Sequence, residues 1–137
     1  MKIAIINGPN LNLLGIREPG IYGKQTFEEF LKDLKEKYAS VQIDYFQSNV
    51  EGELVTELQR TGFDYDGILL NAAAYTHTSV AIGDAISAIK TPVIEIHISN
   101  VAAREDYRQR SFIAAKSVGT ITGLGLKGYE LGLLYFL

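Results

Sequence analysis

The chain has 137 residues, 13 Lys and Arg against 16 Asp and Glu for a net charge of −3, and 47% hydrophobic residues; that composition excludes disorder and suffices for one folded domain. It has no cysteine, which excludes disulfides, thiolate metal sites and a cysteine nucleophile and fits a cytoplasmic location. Mild acidity without a basic block argues against nucleic acid as a partner, and no apolar run is long enough for a membrane span.

Short apolar runs alternate with longer amphipathic ones. Lys2–Asn7 (KIAIIN) reads as a first strand, followed by a loop, GPNLNLLGIREPGIYGKQ over residues 8–25, with four glycines and two prolines. Thr26–Ala39 reads as a helix: Thr26 and Glu29 form a capping box, and Phe27, Phe30, Leu31, Leu34 and Tyr38 share a face. Val41–Gln47 is a second strand; Ser48 and Asn49 are placed to cap a helix over Val50–Thr61 that Gly62 ends. Gly67–Asn71 is a third strand, Thr78–Ile89 a helix stopped before Pro92, Pro92–Ile98 a fourth strand and Val118–Thr122 a fifth. The segment from Arg104 to Arg110 (REDYRQR) reads as helical, so that Arg104 and Arg108 share a face. Lys127–Leu137 reads as a terminal helix that is apolar nearly all round, and such a helix needs cover, part of it from another subunit. The pattern predicts an α/β fold with a five-stranded parallel sheet and helices on both faces, in a single domain over residues 1–137.

In open parallel sheets ligands sit outside the carboxyl ends of the strands. The polar residues concentrate there: Asn7 and Asn10 after the first strand, Asn71 ending the third, and Glu95, His97, Ser99 and Asn100 in and after the fourth. Both histidines, His77 and His97, belong to this set. Glu95 and His97 are two apart on a strand, so they project from one face, where the carboxylate fixes the imidazole tautomer and makes the ring a usable acid. The long loop is of the kind that forms lids and binding loops, and it carries Arg17 and Tyr22 around Pro19 and Gly20. An ordinary phenol ionises at about pH 10; a guanidinium beside it favours the anion, which would make Tyr22 a general base. An anchoring tyrosine and an exposed arginine are the plainer reading of the same loop. Arg104, Arg108 and Arg110 are either a solvated face paired with Glu105 and Asp106 or, beside the fourth strand, a clamp for a carboxylate to which Ser99 would add a hydroxyl. A metal set of His77, His97 and Glu95 has no HExxH-type spacing behind it, and the first turn lacks a nucleotide fingerprint. A flavin- or phosphate-binding module of the same fold is the alternative without catalysis.

The stretches NGPNLNLLGIREPGIYG (7–23), QSNVEGELV (47–55), NAAAYTHTS (71–79), EIHISNVAARE (95–105) and GLGLKGYELGLLYFL (123–137) together resemble type II 3-dehydroquinate dehydratase over essentially the whole chain. The resemblance implies a flavodoxin-like subunit in a homododecamer of the shikimate pathway or of quinate breakdown, working without metal or organic cofactor. It implies anti elimination of water from 3-dehydroquinate through an enolate to give 3-dehydroshikimate. By motif, Tyr22 would take the C2 proton with Arg17 lowering its pKa. Asn10 would hold the water that stabilises the enolate, and His97, oriented by Asn71 and Glu95, would protonate the departing C1 hydroxyl. Ile98 and Ser99, with Asn71, His77 and Arg108, would bind the substrate's carboxylate and hydroxyls, while Asp84 would reach the site of a neighbouring subunit. The family commonly has Asn-Pro-Gly-Ala where this chain has Asn71-Ala72-Ala73-Ala74, which predicts a more regular turn after the third strand. Ala102 and Gln109-Arg110 also stand where histidines are frequent in the family.

Overall fold

The computed structural model describes residues 1–16, 20 and 24–137; Arg17 and Tyr22 lie outside the described residues. Five parallel strands, β1 (Lys2–Asn7), β2 (Gln42–Gln47), β3 (Gly67–Asn71), β4 (Val93–His97) and β5 (Gly119–Thr122), form one sheet in the order β2-β1-β3-β4-β5. The helices are α1 (Phe27–Lys37), α2 (Glu51–Thr61), α3 (Val80–Ala88) and α4 (Lys127–Phe136).

Successive strand residues point to opposite faces, and here both faces are apolar. Ile3, Ile5, Ile43, Leu69, Ile94 and Ile96 pack with Phe27, Leu31 and Leu34 of α1 and with Tyr129 and Leu133 of α4. On the other face Ala4, Ile6, Ile68, Leu70 and Val93 meet Leu54 and Leu58 of α2 and Ile82, Ala85 and Ile86 of α3. The three-layer arrangement expected from the apolar strands is therefore present, with α1 and α4 on one side and α2 and α3 on the other. Chain connections diverge between β1 and β3, which opens a crevice outside their carboxyl ends.

Element ends differ from the expectations in instructive ways. The Thr26 hydroxyl caps α1, accepting from the Glu29 amide at 3.2 Å and donating to the Glu29 carboxylate at 3.0 Å, but α1 stops at Lys37. Ser48 and Asn49 do not cap α2 directly. The Ser48 hydroxyl accepts from the Val50 amide at 3.0 Å and bonds the Glu53 carboxylate, while Asn49 Oδ1 accepts from the Asn10 amide at 3.0 Å and so ties down the loop after β1. Gly62 does not end α2 through a left-handed turn, since its φ is −80°. Glycine is needed there because a Cβ would lie 2.4 Å from the Ile89 side chain and 2.6 Å from the Leu58 carbonyl oxygen. The third helix is shorter than expected, with the Ser79 hydroxyl accepting from the Ile82 amide at 3.0 Å, and Ala73–His77 forms a 3₁₀ turn before it.

The 104–110 segment is not one helix. It consists of 3₁₀ turns at Val101–Ala103 and Asp106–Gln109 with Arg104 extended between them. Gln109 accounts for part of this: its Nε2 donates to the Val101 carbonyl at 2.8 Å, folding the second turn back on the first. In α4 the expected apolar surface is half covered, for Tyr129 and Leu133 are buried while Leu134, Tyr135 and Leu137 are 46, 62 and 57% exposed. Its first turn is anchored by Glu130, which accepts from Lys37 Nζ at 2.6 Å, the Tyr38 hydroxyl at 2.7 Å and Lys127 Nζ at 2.9 Å. Those donors, Lys37 foremost, hold the Glu130 carboxyl down at about 2.

Candidate active site

Asn10, Asn71, His77, His97, Ile98, Ser99 and Arg108 border one cleft of about 80 Å³ at the carboxyl ends of β1, β3 and β4, joined there by Arg104 and Ala73. Glu95 lies behind His97. Asp84 stands exposed on α3 and does not border this cleft, and Arg17 and Tyr22 fall outside the described residues.

Glu95 and His97 do face the same way. They are 2% and 8% exposed, and the imidazole Nε2 is hydrogen-bonded to the Glu95 carboxylate. A carboxylate that deep is costly unless its oxygens are satisfied. The Ser111 hydroxyl lies 3.3 and 3.2 Å from the two oxygens, and the Thr120 hydroxyl 3.3 Å from one of them. Neither residue stood out in the sequence. Thr120 was discoverable in principle, because β5 pairs with β4 in a register that sets Glu95 beside Thr120.

His77 is fixed from outside the cleft. A carbonyl oxygen can only accept, so the Arg110 carbonyl, 2.7 Å from Nδ1, requires the proton on Nδ1 and leaves Nε2 as the acceptor in the neutral ring. Burial pushes the His77 pKa below its ordinary value, and the ring stacks on His97 at 6.3 Å between centroids.

Beneath the cleft runs a buried polar chain whose directions follow from one backbone group. The Ala73 amide donates to Asn71 at 3.1 Å, so the atom it meets is Oδ1. Asn71 Nδ2 therefore donates to the Tyr129 hydroxyl at 2.9 Å, Tyr129 passes its single proton to Asn7 Oδ1 at 2.8 Å, and Asn7 Nδ2 donates to the Tyr45 hydroxyl at 3.4 Å. Burial drives the Tyr129 phenol far above its ordinary range and Tyr45 up to about 12, so both act as neutral hydroxyls. Asn71 Oδ1 and one Nδ2 hydrogen are thus taken by Ala73 and Tyr129, which leaves the second Nδ2 hydrogen for the cleft, and the contact that holds the His97 ring comes from Glu95. Tyr129, read from the sequence as part of an apolar helix, is the polar hub of the cleft floor.

The turn after β3 is less regular than expected, because Ala73 adopts φ +52°. Left-handed backbone costs an L-residue about 1–2 kcal/mol and glycine almost nothing. Ala73→Gly is expected to raise stability by about 0.5–1 kcal/mol after the added freedom of the unfolded chain is subtracted. Urea midpoints at one protein concentration test this, and a lower midpoint for the variant would contradict it. Close packing also defines the other side of the turn: a Cβ on Gly8 would sit 2.6 Å from the Ala72 carbonyl oxygen.

Two guanidinium groups complete the rim. Arg108 Nε donates to Glu105 at 3.2 Å and its guanidinium lies 5.1 Å from the Tyr107 ring centroid, while Arg104 Nη1 reaches the Ser99 hydroxyl at 3.5 Å. The shared helical face predicted for these arginines is replaced by the two 3₁₀ turns, which nevertheless bring both to the cleft. The assembly offers a cationic rim for an anionic group, amide donors on the floor and a buried histidine–carboxylate pair. Among the described residues no group of three or more His, Asp or Glu is arranged to hold a metal ion.

Comparison with known proteins agrees with this picture. The family model described as dehydroquinase class II matches residues 1–137. The chain is 54% identical over 136 residues to the 3-dehydroquinate dehydratase of Campylobacter jejuni subsp. jejuni serotype O:23/36 (strain 81-176), covering 98% of this chain and 86% of that one. It is 51% identical over 136 residues to the 3-dehydroquinate dehydratase of Aliarcobacter butzleri (strain RM4018), covering 98% and 83%. The crystal structure of the type II dehydroquinase from Butyrivibrio crossotus DSM 2876 superposes with a TM-score of 0.95 at 43% identity, covering 99% of this chain and 97% of that one.

Proposed function

From the premise that the chain belongs to the dehydroquinase class II family and so is a hydro-lyase of flavodoxin-like fold, we propose that it removes water from 3-dehydroquinate by anti elimination through an enolate. A ketone acidifies the hydrogen on the neighbouring carbon, so the reaction needs a base, a group to hold the enolate oxygen and an acid for the leaving hydroxyl. Tyr22, as a phenolate favoured by Arg17, takes the C2 proton, and the electron pair moves onto the ketone oxygen, which a water on Asn10 stabilises. The enolate then collapses to form the C1–C2 double bond and expel the C1 hydroxyl, which leaves as water with the His97 proton. The product is 3-dehydroshikimate.

The observation that supports this most is the buried Glu95–His97 pair at the edge of the cleft: the carboxylate occupies one ring nitrogen and orients the imidazole, so the other nitrogen can serve as the acid. Arg108, Ser99 and the Ile98 amide bind the substrate carboxylate, while Asn71 and His77 Nε2 orient hydroxyl groups. Residues 1–137 form one catalytic domain that uses neither metal nor organic cofactor. The exposed Leu134 and Tyr135 on α4 and Leu137 just after it support a homo-oligomer, which we take to be a dodecamer in which Asp84 reaches a neighbour's cleft. The setting we propose is cytoplasmic, in the shikimate pathway or quinate breakdown; no helix among the described residues is long and apolar enough to cross a membrane.

The test is to add 3-dehydroquinate to the purified protein and follow the ultraviolet absorbance of the conjugated enone, with chelator present and again after borohydride treatment. An absorbance rise unaffected by both is expected. Loss of the rise on chelation would turn the reading towards a metal-assisted reaction, and loss after borohydride towards a Schiff base.

A further inference from the structure

We infer that Ser111 and Thr120 are positioning residues for the proton donor, holding the Glu95 carboxylate in the one orientation that keeps His97 aimed at the leaving hydroxyl; the inference rests on His97 being the acid.

The direction of the Ser111 hydrogen bond is set by its surroundings. Its oxygen accepts from the Ile113 amide at 3.2 Å and the Ala114 amide at 3.0 Å, which occupies both lone pairs. The hydroxyl proton is then left for Glu95, whose two oxygens lie 3.3 and 3.2 Å away. Thr120 adds a second hydroxyl from the neighbouring strand at 3.3 Å. With the His97 ring, the carboxylate has three donors converging from β4, β5 and the segment after the second 3₁₀ turn. A carboxylate so surrounded is held in one rotamer with its oxygens satisfied without water, which it needs if it is to orient an imidazole.

The segment that carries Ser111 also governs the other histidine. The Arg110 carbonyl fixes the His77 tautomer at 2.7 Å, and the Phe112 amide donates to the Thr76 carbonyl at 2.9 Å. Residues 110–112 therefore fix the His77 tautomer and brace the carboxylate that bonds His97, while Arg108 of the preceding turn borders the cleft itself. Thr120 reaches the same carboxylate from β5 without taking part in that turn, which makes the two hydroxyls separable by mutation.

Two rates measured on each variant test the inference: dehydration of 3-dehydroquinate, and exchange of its C2 hydrogen with solvent deuterium followed by proton NMR. In Ser111→Ala and Thr120→Val, kcat for dehydration is expected to fall roughly tenfold each, the usual consequence of losing one hydrogen bond to a charged group, with KM within about twofold and exchange at the wild-type rate. Ser111→Thr should restore turnover. Thr120→Val leaves the 111–114 turn untouched, so it carries the test if Ser111→Ala unfolds. Dehydration and exchange falling together, or dehydration unchanged in Thr120→Val, would overturn the positioning role. His97→Ala measured alongside separates the two levels. If it is impaired in dehydration while both hydroxyl variants are normal, the reading of the acid stands and this inference falls; if it dehydrates at the wild-type rate, the reading of the acid falls as well.

Discussion

Replacing His97 with alanine is expected to lower kcat for dehydration of 3-dehydroquinate by about 10²–10⁴-fold, the range that a positioned acid contributes, while exchange of the C2 hydrogen continues. The two processes separate because they use different groups. Exchange needs the base and a stabilised enolate, neither of which involves this ring; loss of the hydroxyl needs a proton that, in the proposed cleft, comes from the imidazole. The fold is expected to survive, since Glu95 keeps the Ser111 and Thr120 hydroxyls when the ring is removed. Circular dichroism checks this, and NMR in deuterium oxide gives both rates. Loss of exchange and elimination together would assign the base, not the acid, to His97.

Tyr22→Phe is expected to reduce dehydration and exchange together, again by about 10²–10⁴-fold, because no enolate forms without a base. Arg17→Ala should act in the same direction, since an isolated phenol is almost entirely protonated at neutral pH. In both variants the proposed binding groups, Asn71, His77, Ser99 and Arg108, remain, so KM should change far less than kcat. Wild-type exchange in Tyr22→Phe would remove the phenol from the mechanism and direct attention to His77, whose Nε2 is an acceptor at the cleft in the neutral ring.

The sheet was legible in the sequence because most strands are apolar on both alternating faces, a pattern that a two-sided α/β layer demands. Helix ends were less so. Ser48 and Asn49 have the chemistry of caps, but the Ser48 hydroxyl bonds Glu53 and Asn49 is drawn to the Asn10 amide, contacts that depend on where the β1 loop comes to rest. The helical pattern of residues 104–110 lost to side-chain hydrogen bonds that no periodicity encodes. At the cleft, Asn10, Asn71, His77, His97, Ile98, Ser99 and Arg108 could be assembled from strand ends and motif alone. Ser111 and Tyr129 could not, for each acts through one hydroxyl that meets its partner only after distant elements have packed, and Thr120 becomes legible only once the β4–β5 register is known. Ala73 is the reverse case: alanine signals an ordinary turn, yet the amide bond to Asn71 coincides with a left-handed backbone at that position.

Tyr129 belongs to α4, the last element in chain order, yet its hydroxyl joins the ends of β1 and β3. Any fluctuation that lifts α4 from the sheet must break both bonds and strand two buried amides, so local opening of the helix also releases the Asn71 amide that borders the cleft. Linked equilibria are reciprocal. A molecule held by Asn71 therefore makes lifting of α4 rarer, and amide hydrogens of that helix exchange more slowly when the cleft is filled. Cleft and helix open as one cooperative unit, although α4 itself contributes nothing to the rim.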